Sequence, residues 1–395
     1  QFDDDRDVND PISRNAYGQY GLLGMRERAA IIGMFNDWLI YHLTGVLAVE
    51  PSNGSTMGIM SLERRDWDPS ISERCGLRTD LFKPVLECGS LAGHVSAQGA
   101  RDTGLAEGTP VVVGGGDCQL GMIGVDACLP GQAGVFGGSF WQYEFNTAEP
   151  KTDENCRVRV NCHAVPGVWQ YEALAFKPGL VMRWFRDAFC QEEKRLAAER
   201  GVSAYDLMDE RAAEVPVGAG GMVCCFSDIM NYIHWTHAAP TFTNFELDPE
   251  KYNKYTFYRA LLENTAMLVK GHIELVREFT GNEPNDLVFA GGASYSDLWA
   301  QIVSDVTNKP VRVPVVKEAT ALGAAILAGY GVGIYPSVAE GAHRMVKIEK
   351  TFSPDAANHA AYERLYETWR KVYAAQLDLS EQGITKSMWS APGIK

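Results

Sequence analysis

Apolar and polar positions in this chain switch repeatedly between a helical and a strand period, and the switches mark its elements. Over Ile31–Leu43 the run MFNDWLIYHL has helical spacing. Thr44-Gly45 closes it, with Gly45 suited to the left-handed position after a helix. Residues 1–20 are polar and irregular and read as loop. Segment 46–66 predicts short extended pieces around Pro51-Ser52-Asn53-Gly54, and 68–107 predicts short helices between Gly and Pro turns. Val111–Val113 then reads as a short buried strand that runs straight into Gly114-Gly115-Gly116-Asp117.

Ala133–Phe136 and Phe140–Phe145 flank Gly137-Gly138-Ser139 and predict a β-hairpin with its glycines at the bend. Phe176–Phe189 predicts a helix with Trp184 on its buried face. Residues 250–280 predict a long amphipathic helix, with Leu261, Thr265, Leu268 and Ile273 near helical spacing. The strand–glycine arrangement recurs where Leu287–Ala290 enters Gly291-Gly292-Ala293, ahead of a helix from Ser296 to about Asn308. After an extended Val311–Val315, the small residues from Glu318 to Ala325 predict a helix start that can approach another backbone closely. A final helix at about 360–377 gathers Tyr362, Leu365, Trp369, Val372, Tyr373 and Leu377 on one side as a core-packing lid.

This alternation predicts an α/β architecture with partly parallel sheets. A length of 395 residues suits two domains, and the boundary is expected after Gly124, giving 1–124 and 125–395. A formal net charge of −14 excludes a nucleic-acid partner, since nothing would neutralise a row of phosphates. Any phosphate ligand must instead be held by backbone N–H groups, local dipoles and a metal. No apolar run approaches the ~20 residues that span a bilayer, and no secretory signal is visible, so no membrane association is expected. Nine scattered cysteines without a CxxC fit reduced thiols and a cytoplasmic location.

Asp117 is the first chemical candidate. A carboxylate after three glycines at a strand end can accept a proton from an attacking hydroxyl, as phosphoryl transfer requires. The same residue can equally serve to cap the helix that follows, and on this pattern alone both readings stand. Gly138 and Ser139 offer a phosphate cradle, although a tight hairpin needs the same residues. Gly291 and Gly292 can set a nucleotide against a helix N-terminus or simply let strand and helix pack closely. There is no GxxxxGK[ST], so a P-loop is excluded. His234, Trp235 and His237 near Asp228 match no zinc spacing, Cys162-His163 lacks a nameable activating partner, and Trp141, Tyr143 and Tyr171 read as core or hairpin-face residues.

Taken in order, VVVGGGDCQLGMIG, AGVFGGSFWQ, KPGLVMRWFRD, RALLENTA, LVFAGGASYSDLWAQIVSDV and EATALGAAILAG resemble the carbohydrate kinase family named for its FGGY motif, over about residues 29–380. The resemblance implies two actin-like, ribonuclease-H-like ATPase domains with the active site in the cleft between them. It implies ATP and Mg²⁺ as cofactors, a small polyhydroxylated substrate, and Asp117 as the base. Gly138, Ser139, Gly179, Gly291, Gly292 and Ser296 fall at its nucleotide positions.

Phe140-Trp141-Gln142, Met182–Cys190, Pro314–Lys317 and Trp389–Gly393 are further similar to a subgroup that phosphorylates the terminal hydroxyl of a quorum-sensing signal derived from 4,5-dihydroxy-2,3-pentanedione. For that subgroup the phosphocarrier protein HPr is an implied partner. A pentulose kinase would share every ATP-side motif, and a non-catalytic nucleotide- or carrier-binding module is the alternative of another class. The family's opening DxGTxxxR-like segment and its Arg–Glu polyol clamp have no counterpart here, so the first domain is expected to be incomplete at its N-terminus. No metal ligand is therefore assigned within the chain. Gly138 stands where many relatives have Thr, and Cys118 stands where glycerol kinases have Gln, which argues against glycerol.

Overall fold

In the computed structural model of the chain, residues 32–226 and 236–388 are described. The polar start at 1–20, Ile31, the Asp228–Trp235 part of the histidine cluster and the closing Trp389–Gly393 lie outside the described residues. The chain forms two compact units, Gln1–Gly115 and Gly116–Lys395, whereas the sequence reading divides it at Gly124.

The first unit opens on helix α1 (Phe35–Thr44), and Gly45 ends it at φ 79°, its N–H donating to Tyr41 O at 2.7 Å. Pro51–Gly54 is a single helical turn and not the extended piece expected. The Glu50 carboxylate accepts from the N–H groups of Ser52 at 2.5 Å and Asn53 at 2.9 Å, and Pro51 has its φ preset for the first helical position. Strand β1 (Leu91–His94), helix α2 (Ala97–Thr103) and strand β2 (Pro110–Val112) follow, β1 and β2 pairing antiparallel. The expected buried strand at 111–113 is thus part of a half-exposed two-stranded ribbon. Only Val113 is fully buried, against Ile40 and Ala92. Its apolar composition is satisfied on one face alone.

The second unit opens with helix α3 (Asp117–Gly124) and carries a seven-stranded sheet. Its strands are β3 (Ala133–Gly137), β4 (Trp141–Thr147), β5 (Arg159–Cys162), β6 (Trp169–Ala175), β7 (Leu287–Ala290), β8 (Val311–Pro314) and β9 (Ile348–Phe352), in the order β9-β8-β7-β3-β4-β6-β5. β3, β7 and β8 run parallel and the other pairs antiparallel. The expected hairpin is β3–β4, closed by the pair Gly137–Trp141.

Helices α4 (Pro178–Phe189), α5 (Ala204–Ala213), α6 (Lys254–Thr280), α7 (Asp297–Thr307), α8 (Ala319–Gly331) and α9 (Ala356–Glu381) complete the frame. Trp141, Tyr143 and Phe145 alternate onto one sheet face and pack with α6 and α9, whose Leu261, Leu268, Tyr362 and Trp369 are buried with them. A buried Arg259 on α6 pairs with Glu263 at 2.8 Å and donates to Tyr362 Oη at 2.8 Å, which ties α9 to α6.

Trp184 is a correction. It is 47 % exposed, while Val181, Met182 and Phe185 take the buried stripe of α4. Its ring stacks on Phe226 and meets Phe189 edge-on, which shields it partly at the surface. None of the nine cysteines is in a disulfide.

The small-residue helix start behaves as the sequence predicts. A Cβ on Gly323 of α8 would stand 1.8 Å from Leu120 O, and one on Gly124 of α3 would stand 1.9 Å from Ala319 O. α3 and α8 therefore meet backbone to backbone, which only glycine allows. That contact holds the Asp117 helix to α8 within the second unit.

Candidate active site

Three glycine turns converge at one end of the seven-stranded sheet. The β3–β4 tip supplies Gly137, Gly138 and Ser139, the start of α4 supplies Gly179, and the exit of β7 supplies Gly291 and Gly292. A Cβ on Gly179 would lie 2.0 Å from Gly138 O, and one on Gly291 would lie 2.9 Å from Gly137 O. Gly291 also adopts φ 84°, a left-handed backbone that other residues rarely take. Contact excludes a side chain at Gly179 and Gly291, whereas Gly138 and Gly292 have ordinary room, and the Gly138 N–H donates to Phe140 O at 3.0 Å.

The turns border a cavity of about 540 Å³ lined by Gly138, Ser139, Gly179, Gly292 and Ser296. Five of the residues named from sequence thus share one wall. Of the other lining side chains, Arg183 of α4, Tyr295 and Trp299 lie inside the family-like motifs but do not stand out there, whereas Ser203, Tyr205, Asp206 and Asp209 of the α5 segment and Tyr258 of α6 lie in none. The α5 segment announces itself only through a capping box, in which Asp206 accepts from Ser203 N–H at 3.0 Å. Ser296 caps α7 by accepting from Trp299 N–H at 3.0 Å. Asp209 accepts from Tyr258 Oη at 3.0 Å, and burial pushes its carboxyl up to about 6 against the hydrogen bonds from Ser296 and Tyr258.

A second cavity of about 330 Å³ adjoins the first, since both are lined by Gly292 and Tyr295. Gly291, Lys317, Glu318 and Thr320 complete its rim. Lys317 Nζ pairs with Glu349 at 2.9 Å and lies over the Tyr295 ring.

Thr320 connects this rim to Asp117, its hydroxyl donating to Asp117 O at 3.0 Å. Asp117 is the first residue of α3, with an exposed side chain, and its Oδ1 accepts from Cys118 N–H at 2.9 Å. Gly116, not Asp117, holds the N-cap position, with no side-chain cap bond, so Asp117 does not cap the helix as the second sequence reading has it. It opens a helix, yet its carboxylate faces solvent with further lone pairs to spare.

The exposed Asp117 carboxylate offers the oxygen donors that a hard cation such as Mg²⁺ takes alongside its waters. Among the described residues the one group able to converge three ligand atoms is Cys118, Glu144 and Glu172. It is buried and includes a thiol, so its donor set does not fit Mg²⁺.

Comparison with known proteins decides the family. Residues 23–124 match the N-terminal domain and residues 141–332 the C-terminal domain of the FGGY family of carbohydrate kinases. The chain belongs to the FGGY carbohydrate kinases. As a member it is a kinase, and ATP use follows with the family.

Among curated relatives it is 48 % identical over 368 residues to autoinducer-2 kinase of Yersinia enterocolitica, covering 93 % of this chain and 70 % of that protein. It is 49 % identical to autoinducer-2 kinase of Escherichia coli K12, covering 93 % and 69 %. Among solved structures, xylulose kinase from Rhodospirillum rubrum superposes with a TM-score of 0.78 at 24 % identity, covering 94 % of this chain and 72 % of that one. Plasmodium falciparum glycerol kinase with ADP gives 0.72 at 18 %, covering 92 % and 69 %. These structures establish the fold of this FGGY kinase and nothing finer. No helix among its described residues is long and apolar enough to cross a membrane.

Proposed function

We propose that this FGGY kinase is a cytoplasmic autoinducer-2 kinase, transferring the γ-phosphate of ATP to the terminal hydroxyl of the open-chain signal 4,5-dihydroxy-2,3-pentanedione. The observation that carries phosphoryl transfer is the convergence of Gly138, Gly179 and Gly292 on one cavity, joined through a second cavity and Thr320 to Asp117. The acceptor is narrowed by the 48–49 % identity to autoinducer-2 kinases along 93 % of the chain.

In this reading the adenosine part of ATP takes the larger cavity, where Tyr205, Tyr258 and Trp299 supply apolar surface and Arg183, Ser203 and Asp209 supply polar contacts. The main-chain N–H groups of Ser139, Gly291 and Gly292 hold the phosphates without a basic patch, as a chain of net charge −14 requires, while the Gly138 N–H closes the turn on Phe140 O at 3.0 Å. Asp117 accepts the proton of the attacking hydroxyl and orients it in line. Mg²⁺ bound with the nucleotide would neutralise phosphate charge, and the exposed Asp117 carboxylate would hold its waters. Contact with the phosphocarrier HPr belongs to the same reading on the strength of the subgroup resemblance, and co-purification of the two tests it.

The test is ATP consumption against a panel of the pentanedione, D-xylulose and glycerol. Turnover is expected to be fastest with the pentanedione. Faster turnover of xylulose reverses the choice in favour of a pentulose kinase, and ATP binding without turnover of any acceptor supports a non-catalytic module. Asp117→Asn is expected to lower kcat by roughly 10²- to 10⁴-fold with ATP binding kept.

A further inference from the structure

On the sheet face opposite the aromatic core, Glu144 of β4 stands directly across from Glu172 of β6. Glu144 is 0 % exposed and Glu172 is 5 % exposed. The Cys118 sulfur, in the first turn of α3, and one oxygen of each carboxyl all lie within 4.8 Å of one another. Gln142 Nε2 donates to Cys118 Sγ at 3.0 Å, and Gln170 Nε2 donates to Glu144 Oε2 at 2.7 Å. Glu172 Oε1 pairs with Arg159 Nη1 at 3.1 Å, whereas Glu144 Oε1 is buried with no partner.

The charges do not close if both glutamates ionise. Two buried anions would then face one guanidinium, with the Asp117 carboxylate one residue from Cys118. Burial and then the Glu172 charge push the Glu144 carboxyl well up, while Arg159 draws Glu172 back against its own burial. The Cys118 sulfur sits within reach of both carboxyls, and a thiol is a weak donor that suits such acceptors. With one proton on the pair, residing on Glu144, the floor beneath Asp117 is neutral. Two anions there would repel both the base and an incoming triphosphate.

Cys118 links this floor to the base. Its side chain is held by Gln142, Glu144 and Glu172, and its main-chain N–H donates to Asp117 Oδ1 at 2.9 Å. We propose that Glu144, Glu172 and Cys118 form a positioning cluster for Asp117, in which the two glutamates share one proton and anchor the thiol that fixes the base. The inference rests on Asp117 acting as the base.

The experiment combines kinetics with infrared spectroscopy on the full chain. Cys118→Ala and Glu144→Ala are each expected to lower kcat about 10- to 100-fold with the KM for ATP unchanged. Cys118→Ser and Glu144→Gln, which restore a donor of similar shape, are expected to recover most of that loss. Independently of turnover, the protein at neutral pH is expected to show a protonated-carboxyl C=O band that Glu144→Gln removes. The same band must survive in Asp117→Asn.

An unchanged kcat in Cys118→Ala, the absence of that band, or a stoichiometric metal ion lost on mutating the trio would each overturn the proposal. Normal turnover by Asp117→Asn would sink the base assignment instead, while leaving the band in place, so the two failures are distinguishable.

Discussion

The hydroxyl of Thr320 donates to the main-chain carbonyl of Asp117 at 3.0 Å, joining the rim of a cavity on α8 to the first residue of α3. Both residues lie on helices locked together by the Gly124 and Gly323 contacts, so the bond sits on a rigid base. Thr320→Val keeps the shape and removes the donor. It is expected to lower kcat about 2- to 10-fold, the worth of one ordinary hydrogen bond. Thr320→Ser is expected to restore it. Steady-state kinetics at saturating ATP check both.

Gly179 meets the tip of the β3–β4 hairpin with no room for a methyl group, a built Cβ standing 2.0 Å from Gly138 O. Gly179→Ala must push the tip away from α4. Overpacking of this kind costs about 1–3 kcal/mol, and because it falls on the cradle it is expected to raise the KM for ATP roughly 10-fold or more. Isothermal titration with ATP reads the change directly. An unaltered affinity would remove the 138–139 turn from the nucleotide site.

Asp209 carries a carboxyl raised by burial to about 6, above its unfolded value of 3.8. A raised folded pKa stabilises the fold fully below the unfolded value, and that contribution is lost as pH rises through about 6. Asp209→Asn is therefore expected to match the parent protein near pH 4 and exceed it at pH 8 by roughly 2–3 kcal/mol. Urea unfolding across that range tests the sign. A variant less stable than the parent at pH 8 would contradict it.

His272 on α6 is buried beside Tyr143, and burial lowers its pKa to about 3 from 6.5. The neutral ring is the form that fits. Its contribution is whole above pH 6.5 and is lost as pH falls towards 3, because the unfolded chain takes up the proton first. His272→Phe is expected to flatten the acid limb of the stability curve between those values, as thermal melts at stepped pH will show. A limb of unchanged slope would place acid sensitivity elsewhere.

Much of this molecule was written locally. Helical spacing at 35–44 and 254–280, the glycine bend at 137–139 and the strand exit at 287–292 all depend on neighbours in the chain, so pattern and turn chemistry sufficed to name them and, through their order, the family. Burial is different, because it depends on which partner arrives. Composition gives Val111 and Val112 a core and Trp184 a buried face. The structure leaves the former on a two-stranded ribbon and turns the latter outward, since Val181, Met182 and Phe185 already fill the stripe of α4.

The cavity walls are a matter of convergence. Arg183, Asp209, Tyr258 and Ser296 come from four separate helical segments, and no spacing along the chain relates them. Likewise Glu144 and Glu172 look like ordinary strand acids until the register of β4 and β6 sets them face to face beneath Cys118. Sequence alone settled which elements form and where the backbone must be bare. Only packing and strand register, which bring distant residues within bonding reach and remove water from them, decided which acids are buried face to face and which carboxylate stays exposed to solvent.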